Sequence, residues 1–248
     1  MLRRSLLTAL FALSLPVSAG HAAPGPWVES FTQGTLDRWV VSNWRGFWAG
    51  GTLDGAFSAQ NVKVLQGGQL QLRLKVQRCG GRWCAQAAAL QSRQKFGFGR
   101  YTVRMRAASD SGDPRRAGRA RPGNISAAFS FLDDSRTEID VEIEGHRSRQ
   151  INTAAWQGLE RKSFALVTHP QGTDLATGFH TYTWDWQRDH LAFSVDGREV
   201  WRTREHVPQD PAHLMLNVWP TDDSKWGGQA TPGEVFMLVD EVKFEPSL

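Results

Sequence analysis

The stretch Glu138-Ile139-Asp140-Val141-Glu142-Ile143-Glu144 alternates acidic and β-branched residues without a break. Successive side chains of a β-strand point to opposite faces, so the pattern predicts a strand with every carboxylate on one face and every apolar side chain on the other. The apolar face belongs against a core. The acidic face is unfavourable to build, because like charges side by side repel and raise one another's pKa values.

Two interpretations of the acidic face remain open from the pattern. It could be the solvated face of an edge strand, kept acidic to prevent aggregation. It could instead supply the two carboxyl groups of glycoside hydrolysis, one as nucleophile and one as acid/base. On a flat strand, positions i and i+4 are about 13 Å apart at Cα, whereas a retaining pair needs its carboxyl groups about 5–5.5 Å apart. The catalytic interpretation therefore predicts a strongly curved strand with this face concave.

Apolar and polar residues also alternate in much of the rest of the chain, in segments separated by turn residues. The clearest are residues 69–76, 101–105, 179–186 and 191–195, the last followed by Asp196-Gly197, which is typical of a type I′ hairpin turn. The pattern predicts an all-β antiparallel sandwich that forms a single domain over residues 24–248. Residues 107–124 break the alternation with Gly, Pro and Arg, which predicts an exposed, mobile loop.

The first 23 residues are predicted to be a secretory signal peptide. Arg3 and Arg4 precede an apolar run from Leu6 to Leu15, and small residues follow Pro16. A buried N-terminal helix is the alternative, but the segment has no caps and no amphipathic period. The run is too short to span a bilayer. We therefore expect a secreted or periplasmic protein without membrane insertion.

Charge and cysteine content narrow the class of protein further. Loss of Arg3 and Arg4 lowers the formal net charge from +4 to about +2, which gives no support for a nucleic-acid partner.

Cys79 and Cys84 could close a small disulfide in an exported protein, and this would shape a hairpin tip rather than hold the domain together.

Glu138-Ile139-Asp140-Val141-Glu142 resembles the Glu-x-Asp-x-Glu signature of glycoside hydrolase family 16, which includes lichenases, xyloglucan-active enzymes and laminarinases. Further segments resemble the family in the same order within residues 27–246: Gln94–Tyr101, Phe179–Trp186, Val195–Gly197 and Leu214–Trp219. This resemblance implies a concanavalin-like jelly roll with a concave substrate cleft. It also implies that Glu138 is the nucleophile, that Asp140 assists and that Glu142 is the acid/base.

The spacing within the motif selects a branch of the family. One residue separates Asp140 from Glu142, which is similar to the lichenase, xyloglucan and exopolysaccharide-glycanase branch. The laminarinases carry a bulge at this place, and a bulge would move Glu142 to the opposite face.

The resemblance also implies substrate-binding residues. Asn152, Asn217 and Trp219 would line the donor side of the cleft, since an amide can both donate to and accept from a sugar hydroxyl and an indole covers the apolar face of a pyranose. Trp156 and Trp226 are further candidates that a core position would explain equally well. Taken alone, Trp219 would also fit an ordinary core position.

Three features depart from the family pattern. Ala89 and Gln91 stand where lichenases carry Glu and Arg as sugar contacts, which predicts a different sugar or subsite preference. Glu144 replaces an aliphatic residue; it could raise the pKa of Glu142, contact substrate, or be a charge at the rim. The two cysteines do not stand where the lichenase disulfide pairs.

No cofactor is expected for catalysis. The family often carries a structural calcium between the chain ends, and Asp240 and the carbonyl of Gly68 lie where the resemblance would place it.

We therefore expect a monomeric, secreted, retaining endo-β-glycanase that hydrolyses β-1,3/1,4-linked glucan or a related exopolysaccharide. The alternatives are a transglycosylase on the same scaffold and a non-catalytic carbohydrate-binding jelly roll, although a lectin has no need of repelling carboxylates. The arginine-rich segment 115–121 either steers an anionic glycan or is a solvated loop.

Overall fold

A computed structural model of the chain describes residues 24–48, 53–133 and 135–247. The predicted signal peptide therefore lies outside the described residues. Those residues form strands joined by turns and loops, with one short 3-10 helix at Ala59–Asn61. The strands are β1 (Trp27–Glu29), β2 (Trp39–Val41), β3 (Trp44–Trp48), β4 (Leu53–Phe57), β5 (Val62–Val64), β6 (Leu70–Cys79), β7 (Arg82–Phe96), β8 (Gly99–Ser109), β9 (Asn124–Leu132), β10 (Thr137–Glu144), β11 (Gln150–Trp156), β12 (Lys162–Thr168), β13 (His180–Trp186), β14 (Leu191–Val195), β15 (Arg198–Thr203), β16 (Ala212–Pro220) and β17 (Gly233–Pro246).

The strands form two layers, which confirms the predicted all-β sandwich. The front sheet has the order β2-β7-β16-β9-β10-β11-β12 and is antiparallel throughout. The back sheet runs β15-β14-β13-β8-β17-β6, with β1 added to β17 and β5 to β6. The long strand β7 belongs to both layers: its first half pairs with β6 and, in parallel, with β4, and its second half pairs with β2 and β16.

The core lies between the two sheets. On β10 the apolar residues Ile139, Val141 and Ile143 are at most 1% exposed and join one hydrophobic cluster with the back sheet. Across the core, the rings of Tyr101 and Trp184 stack with centroids 5.1 Å apart. Burial of the apolar half of β10 fixes the strand's orientation, because a slip of one residue would turn the carboxylates into the core.

Two local predictions are confirmed. Asp196 and Gly197 both have positive φ, 49° and 77°, as the type I′ turn between β14 and β15 requires. Cys79 and Cys84 form a disulfide with their Cα atoms 5.8 Å apart. This disulfide joins the end of β6 to the start of β7, so it closes a hairpin tip as expected.

The loop predicted at residues 107–124 is shorter and better anchored than the sequence indicates. Strand β8 continues to Ser109, and Ala107 and Ala108 are buried. Arg106 is only 1% exposed and donates to the carbonyls of Asp113 and Arg116 at 3.1 and 2.6 Å. The prediction of an exposed, mobile loop missed this because the Gly, Pro and Arg residues of the segment suggest solvent, whereas carbonyls of the segment accept hydrogen bonds from the buried Arg106.

No helix within the described parts of the chain is long and apolar enough to cross a membrane.

Candidate active site

Strand β10 places its acidic residues side by side on the outer face of the front sheet. It pairs with β11 on one side and with β9 on the other, and neither pairing shifts register. The strand therefore has no bulge, and Glu138, Asp140, Glu142 and Glu144 share one face, here called the carboxylate face. The predicted concavity of this face stays a prediction.

Cross-strand partners in an antiparallel sheet share a face, so the pairings extend each acid into a row of side chains across the front sheet. The central row runs from β7 to β12 through Gln91, Met215, Phe129, Asp140, Ala154 and Phe164. Beside it runs the Glu142 row, made of Ala89, Asn217, Ala127, Glu142, Asn152 and Leu166. On the other side runs the Glu138 row, made of His213, Phe131, Glu138, Trp156 and Lys162.

The three central acids have raised pKa values. Burial, together with the negative charges of Glu138 and Glu144, raises the pKa of Glu142 to about 8. Burial first, and then the charges of Glu138 and Glu142, raises the pKa of Asp140 well above its usual value. Burial raises the pKa of Glu138, while a hydrogen bond from Ser135 lowers it. At neutral pH this arrangement favours a proton on Glu142, as a general acid requires.

Trp156 contacts the acidic cluster directly. Its indole Nε1–H donates to Asp140 Oδ2 at 2.9 Å and so lowers the pKa of Asp140 against the stronger effect of burial. The sequence left Trp156 between a cleft position and a core position. The structure places it on the carboxylate face, half-buried, next to Glu138. We therefore assign it a positioning role for Asp140.

Glu144 is enclosed, in contrast to Glu138 and Glu142. It is 1% exposed, and its Oε1 accepts from Arg147 at 2.6 Å while its Oε2 accepts from the Gly227 N–H at 2.7 Å. Arg147 also donates to the carbonyl of Lys225 at 3.1 Å. Both carboxylate oxygens are engaged, so Glu144 anchors the loop between β16 and β17 rather than presenting a free oxygen to substrate.

That loop carries an aromatic surface. Trp226 packs edge-on against Trp219 with ring centroids 4.8 Å apart, and both rings are half-buried. Glu144, Arg147 and Gly227 thus fix the backbone next to Trp226. The two indoles contact each other, and Trp219 also packs against the hydrophobic core, so their role in a cleft stays a prediction.

The structure separates the asparagines that the family resemblance grouped on the donor side. Asn217 lies on β16 and Asn152 on β11, so they flank Glu142 from opposite sides of β10. Trp219 lies on the same strand as Asn217. Ala89 pairs with Asn217 and Gln91 with Met215, so the two departures from the family pattern face the same surface on β7.

Sequence reasoning missed several residues on the carboxylate face. Phe129, Phe131, His213 and Met215 occupy the rows beside Asp140 and Glu138. Phe129 and Phe131 could have been found, because residues 128–131 alternate small and aromatic side chains shortly before the acidic strand. The others depend on which strands become neighbours, which local pattern does not encode.

Asp240, one of the two residues expected to bind calcium, already has other partners, and the role of the Gly68 carbonyl stays a prediction. The Asp240 carboxylate accepts from Gln69 at 3.1 Å through Oδ1 and forms an ion pair with Arg104 through Oδ2. Calcium needs several oxygen ligands without a competing cation. The guanidinium of Arg104 already neutralises this carboxylate, so no step or stabilising role is assigned to calcium.

One group of possible metal ligands, His169, His180 and Asp196, lies away from the carboxylate face. His169 Nδ1 accepts N–H bonds from Gln171 and Thr173, both at 3.3 Å. Its proton is therefore on Nε2, which lies 3.2 Å from Asp196 Oδ2 and donates to it. A metal at Nε2 would have to displace that proton, so the cluster acts as a hydrogen-bonded anchor for the β14–β15 turn.

Residues 51–234 match the family described as Glycosyl hydrolases family 16. The chain belongs to this family. Its unbulged acidic strand and two-layer fold are those of a family 16 glycoside hydrolase, as the sequence resemblance implied.

Several relatives of the chain are beta-glucanases. The beta-glucanase of Acetivibrio thermocellus is 26% identical over 89% of this chain, which spans 63% of that protein's length. The structure of the Bacillus licheniformis beta-glucanase is 21% identical, with a TM-score of 0.75 over 90% of this chain and 99% of that one, and shows the shared family 16 fold. The structure titled Apo Crh5 transglycosylase is 25% identical, with a TM-score of 0.65 over 91% of this chain and 86% of that one.

Proposed function

We propose that the protein is a secreted retaining endo-β-glycanase that hydrolyses β-1,3/1,4-linked glucan or a related exopolysaccharide by double displacement. The observation that carries this proposal is the difference between the two glutamates on β10. The pKa of Glu142 is raised to about 8 by burial and by two neighbouring carboxylates. Glu138 receives a hydrogen bond from Ser135 that stabilises its ionised form.

In the first displacement, the Glu138 carboxylate attacks the anomeric carbon while Glu142 transfers its proton to the glycosidic oxygen, and the C–O bond breaks. The products are a covalent glycosyl-enzyme ester and a free leaving-group chain. Glu142, now ionised, then removes a proton from water as the water oxygen attacks the anomeric carbon. Glu138 leaves as a carboxylate, Glu142 regains its proton, and the anomeric configuration is retained.

Asp140 assists from between the two glutamates. Its charge state is coupled to theirs, so the three acids titrate as one cluster. Trp156 fixes one of its oxygens. The proposed sugar contacts are Asn152, Asn217 and Trp219, with Trp156 and Trp226 as additional aromatic surface. Glu144 contributes through its effect on Glu142 and on the Trp226 loop.

The test compares Glu138→Ala and Glu142→Ala with the control Glu205→Ala. Glu205 is an exposed acid in the loop after β15 and does not belong to the acidic strand. Hydrolysis of lichenan, laminarin, xyloglucan and bacterial exopolysaccharides is measured with products sized by mass. We expect both site variants to lose at least about 10⁴-fold in kcat and the control to lose none. Unchanged turnover by Glu138→Ala would eliminate the proposal.

Azide separates the roles of the two glutamates. Added to Glu138→Ala with an activated aryl glycoside, azide should give a glycosyl azide of inverted configuration. Added to Glu142→Ala, it should give one of retained configuration, because the Glu138 ester still forms. The reverse pattern would exchange the two roles.

Transglycosylation is the second candidate, and the likeness to the Crh5 transglycosylase favours including it. The same glycosyl-enzyme would pass to a sugar hydroxyl rather than to water. Products longer than the starting oligosaccharide at high acceptor concentration would establish transfer, and their absence would leave hydrolysis alone.

A further inference from the structure

Strand β12 carries apolar side chains on the carboxylate face. Phe164 is 65% exposed and Leu166 is 40% exposed, although both alternate with inward residues in a regular strand. Within the described chain, β12 pairs only with β11, so it forms the edge of the front sheet. Large apolar side chains exposed together mark a surface that binds a ligand or partner.

The positions of the two glutamates define the path of the glycan. In a retaining hydrolase the two carboxyl groups flank the cleaved bond. Both lie on β10, so a glycan must cross that strand between them, above Asp140. Its direction then follows the central row, which reaches Phe164 through the small side chain of Ala154.

Direct contacts connect the acidic cluster to β12. Trp156 donates to Asp140, and Lys162 Nζ lies 4.4 Å from the centre of the Trp156 ring. The same ammonium lies 5.8 Å from the centre of the Phe164 ring. The surface from Asp140 to Phe164 is therefore continuous, with the Lys162 ammonium close to both aromatic rings.

The residues on the other side of β10 indicate on which side of the cleaved bond β12 lies. Of the three contacts that the family resemblance groups on the donor side, Asn217 and Trp219 lie on β16, two strands from β10. Asn152 lies on β11, directly beside Glu142, so we place it next to the cleaved bond and take the β16 side as the donor side. Strand β12 lies two strands from β10 in the other direction, about 9–10 Å away. A sugar above β12 therefore belongs to the leaving-group side of the cleaved bond.

We infer that Phe164 and Leu166 form a leaving-group-side sugar subsite, the β12 platform, which binds the apolar face of a pyranose ring of the glycan. The inference rests on the proposed function, because the cleaved bond must lie above Asp140. A pyranose presents a face of C–H groups, and an aromatic ring with an adjacent aliphatic side chain buries that face while the sugar hydroxyls stay in water. Lys162 sits beside the platform as a donor for those hydroxyls.

The experiment uses two substrates that differ only on the leaving-group side. One is a β-glucan polymer, and the other is an aryl glycoside of the matching oligosaccharide, which places no sugar above β12. For Phe164→Ala and for the double variant with Leu166→Ala, we expect kcat/KM on the polymer to fall about 10-fold or more, the equivalent of losing one aromatic–sugar contact. On the aryl glycoside, kcat/KM stays unchanged.

Two further variants serve as controls. Phe164→Tyr keeps the ring and should restore polymer activity. Val28→Ala removes an exposed apolar side chain from β1 in the back sheet and should change neither substrate. Equal losses on both substrates, or no loss on the polymer, would overturn the platform, since the first indicates a folding defect and the second an unused surface.

Binding provides a readout that does not depend on turnover. The Glu138→Gln protein, with and without Phe164→Ala, is run in native gels that contain the same polymer. Retardation that weakens in the Phe164→Ala background supports the platform, and equal retardation overturns it. Failure of the proposed function would give a different result, because the unsubstituted protein would then cleave neither the polymer nor the aryl glycoside.

Discussion

At the scale of single residues, the protonation of Glu142 is the central step of the proposed mechanism. Its environment combines burial with the charges of Glu138 and Glu144, all of which disfavour ionisation. A carboxyl group that remains protonated at neutral pH can donate to a glycosidic oxygen, and it becomes a competent base only after the first displacement.

The pH dependence of kcat/KM should therefore have its alkaline limit near the pKa of Glu142. Above pH about 8 the free enzyme loses the proton that the first step needs, so activity falls tenfold per pH unit. Initial rates of polymer hydrolysis, measured from pH 4 to 10, give the alkaline limb, because the sugar leaving group of a polymer needs the proton from Glu142. A limb that stays flat to pH 10 would remove Glu142 from the acid role.

Trp156 provides a second test at this scale. Trp156→Phe keeps a ring on β11 but removes the donor to Asp140 Oδ2. We expect the pKa of Asp140 to rise further and kcat to fall about 10-fold, the loss of one hydrogen bond to a charged group. Thermal unfolding of the variant is the control, because an unchanged kcat with a lowered Tm would indicate a purely structural residue.

At the scale of elements, strand β10 is connected to the loop between β16 and β17. The buried carboxylate of Glu144 holds the Gly227 N–H and the Arg147 guanidinium, and Arg147 holds the carbonyl of Lys225. One residue of the acidic strand thus fixes a loop that carries Trp226, and the same charge acts on Glu142.

Glu144→Gln and Arg147→Met separate these two effects. Glu144→Gln keeps an oxygen for the Gly227 N–H but removes a negative charge near Glu142, so the alkaline limb should move to lower pH. Arg147→Met leaves Glu144 buried without its main ion-pair partner, so the limb should move to higher pH and KM should rise as the loop loosens. An alkaline limb of the kcat/KM profile that stays at the same pH in both variants would contradict the electrostatic role of Glu144.

The ion pair between Arg104 and Asp240 connects β8 to β17 and engages a carboxylate oxygen that the expected calcium would need. Excess chelator should therefore leave Tm unchanged, and added calcium should not raise it. Arg104→Ala provides the comparison, because it frees an Asp240 oxygen for a cation. A calcium-dependent rise in Tm of the unsubstituted protein would show that the ion pair does not occupy the site.

At the scale of the whole molecule, the raised pKa of Glu142 makes the stability of the fold depend on pH. A carboxyl group whose pKa is raised on folding binds its proton more tightly in the folded state. The stabilisation that this gives is fully present below the unfolded pKa of 4.5 and is lost as pH rises through about 8. The free energy of unfolding should therefore decline across that interval.

Glu142→Gln removes this dependence. Relative to the unsubstituted protein, it should gain on the order of 2–4 kcal/mol in the free energy of unfolding between pH 5 and pH 8.5. Urea unfolding at both pH values measures the gain, and Glu205→Gln is the control. Parallel pH profiles for the two proteins would show that Glu142 ionises at the same pH when folded and unfolded.

The sequence predicts much of this architecture, because alternation reports which face each side chain takes. It predicted the acidic face of β10, the Asp196-Gly197 turn and the sandwich. It could not predict the full rows across the sheet, since Met215 and Phe164 join the row of Asp140 only through strand order. It also predicted an exposed, mobile loop at residues 107–124 and missed that this segment supplies carbonyl acceptors for the buried Arg106.

The position of the β12 platform on the last strand of the front sheet has a consequence for adaptation. Substitutions at Phe164 and Leu166 change an exposed surface and leave the packed core and the proton-transfer groups untouched, so they carry little risk of misfolding. Descendants of this enzyme can therefore acquire new acceptor preferences at the sheet margin while the reaction centre is inherited unchanged. For protein engineering, this strand is the natural place to begin a library.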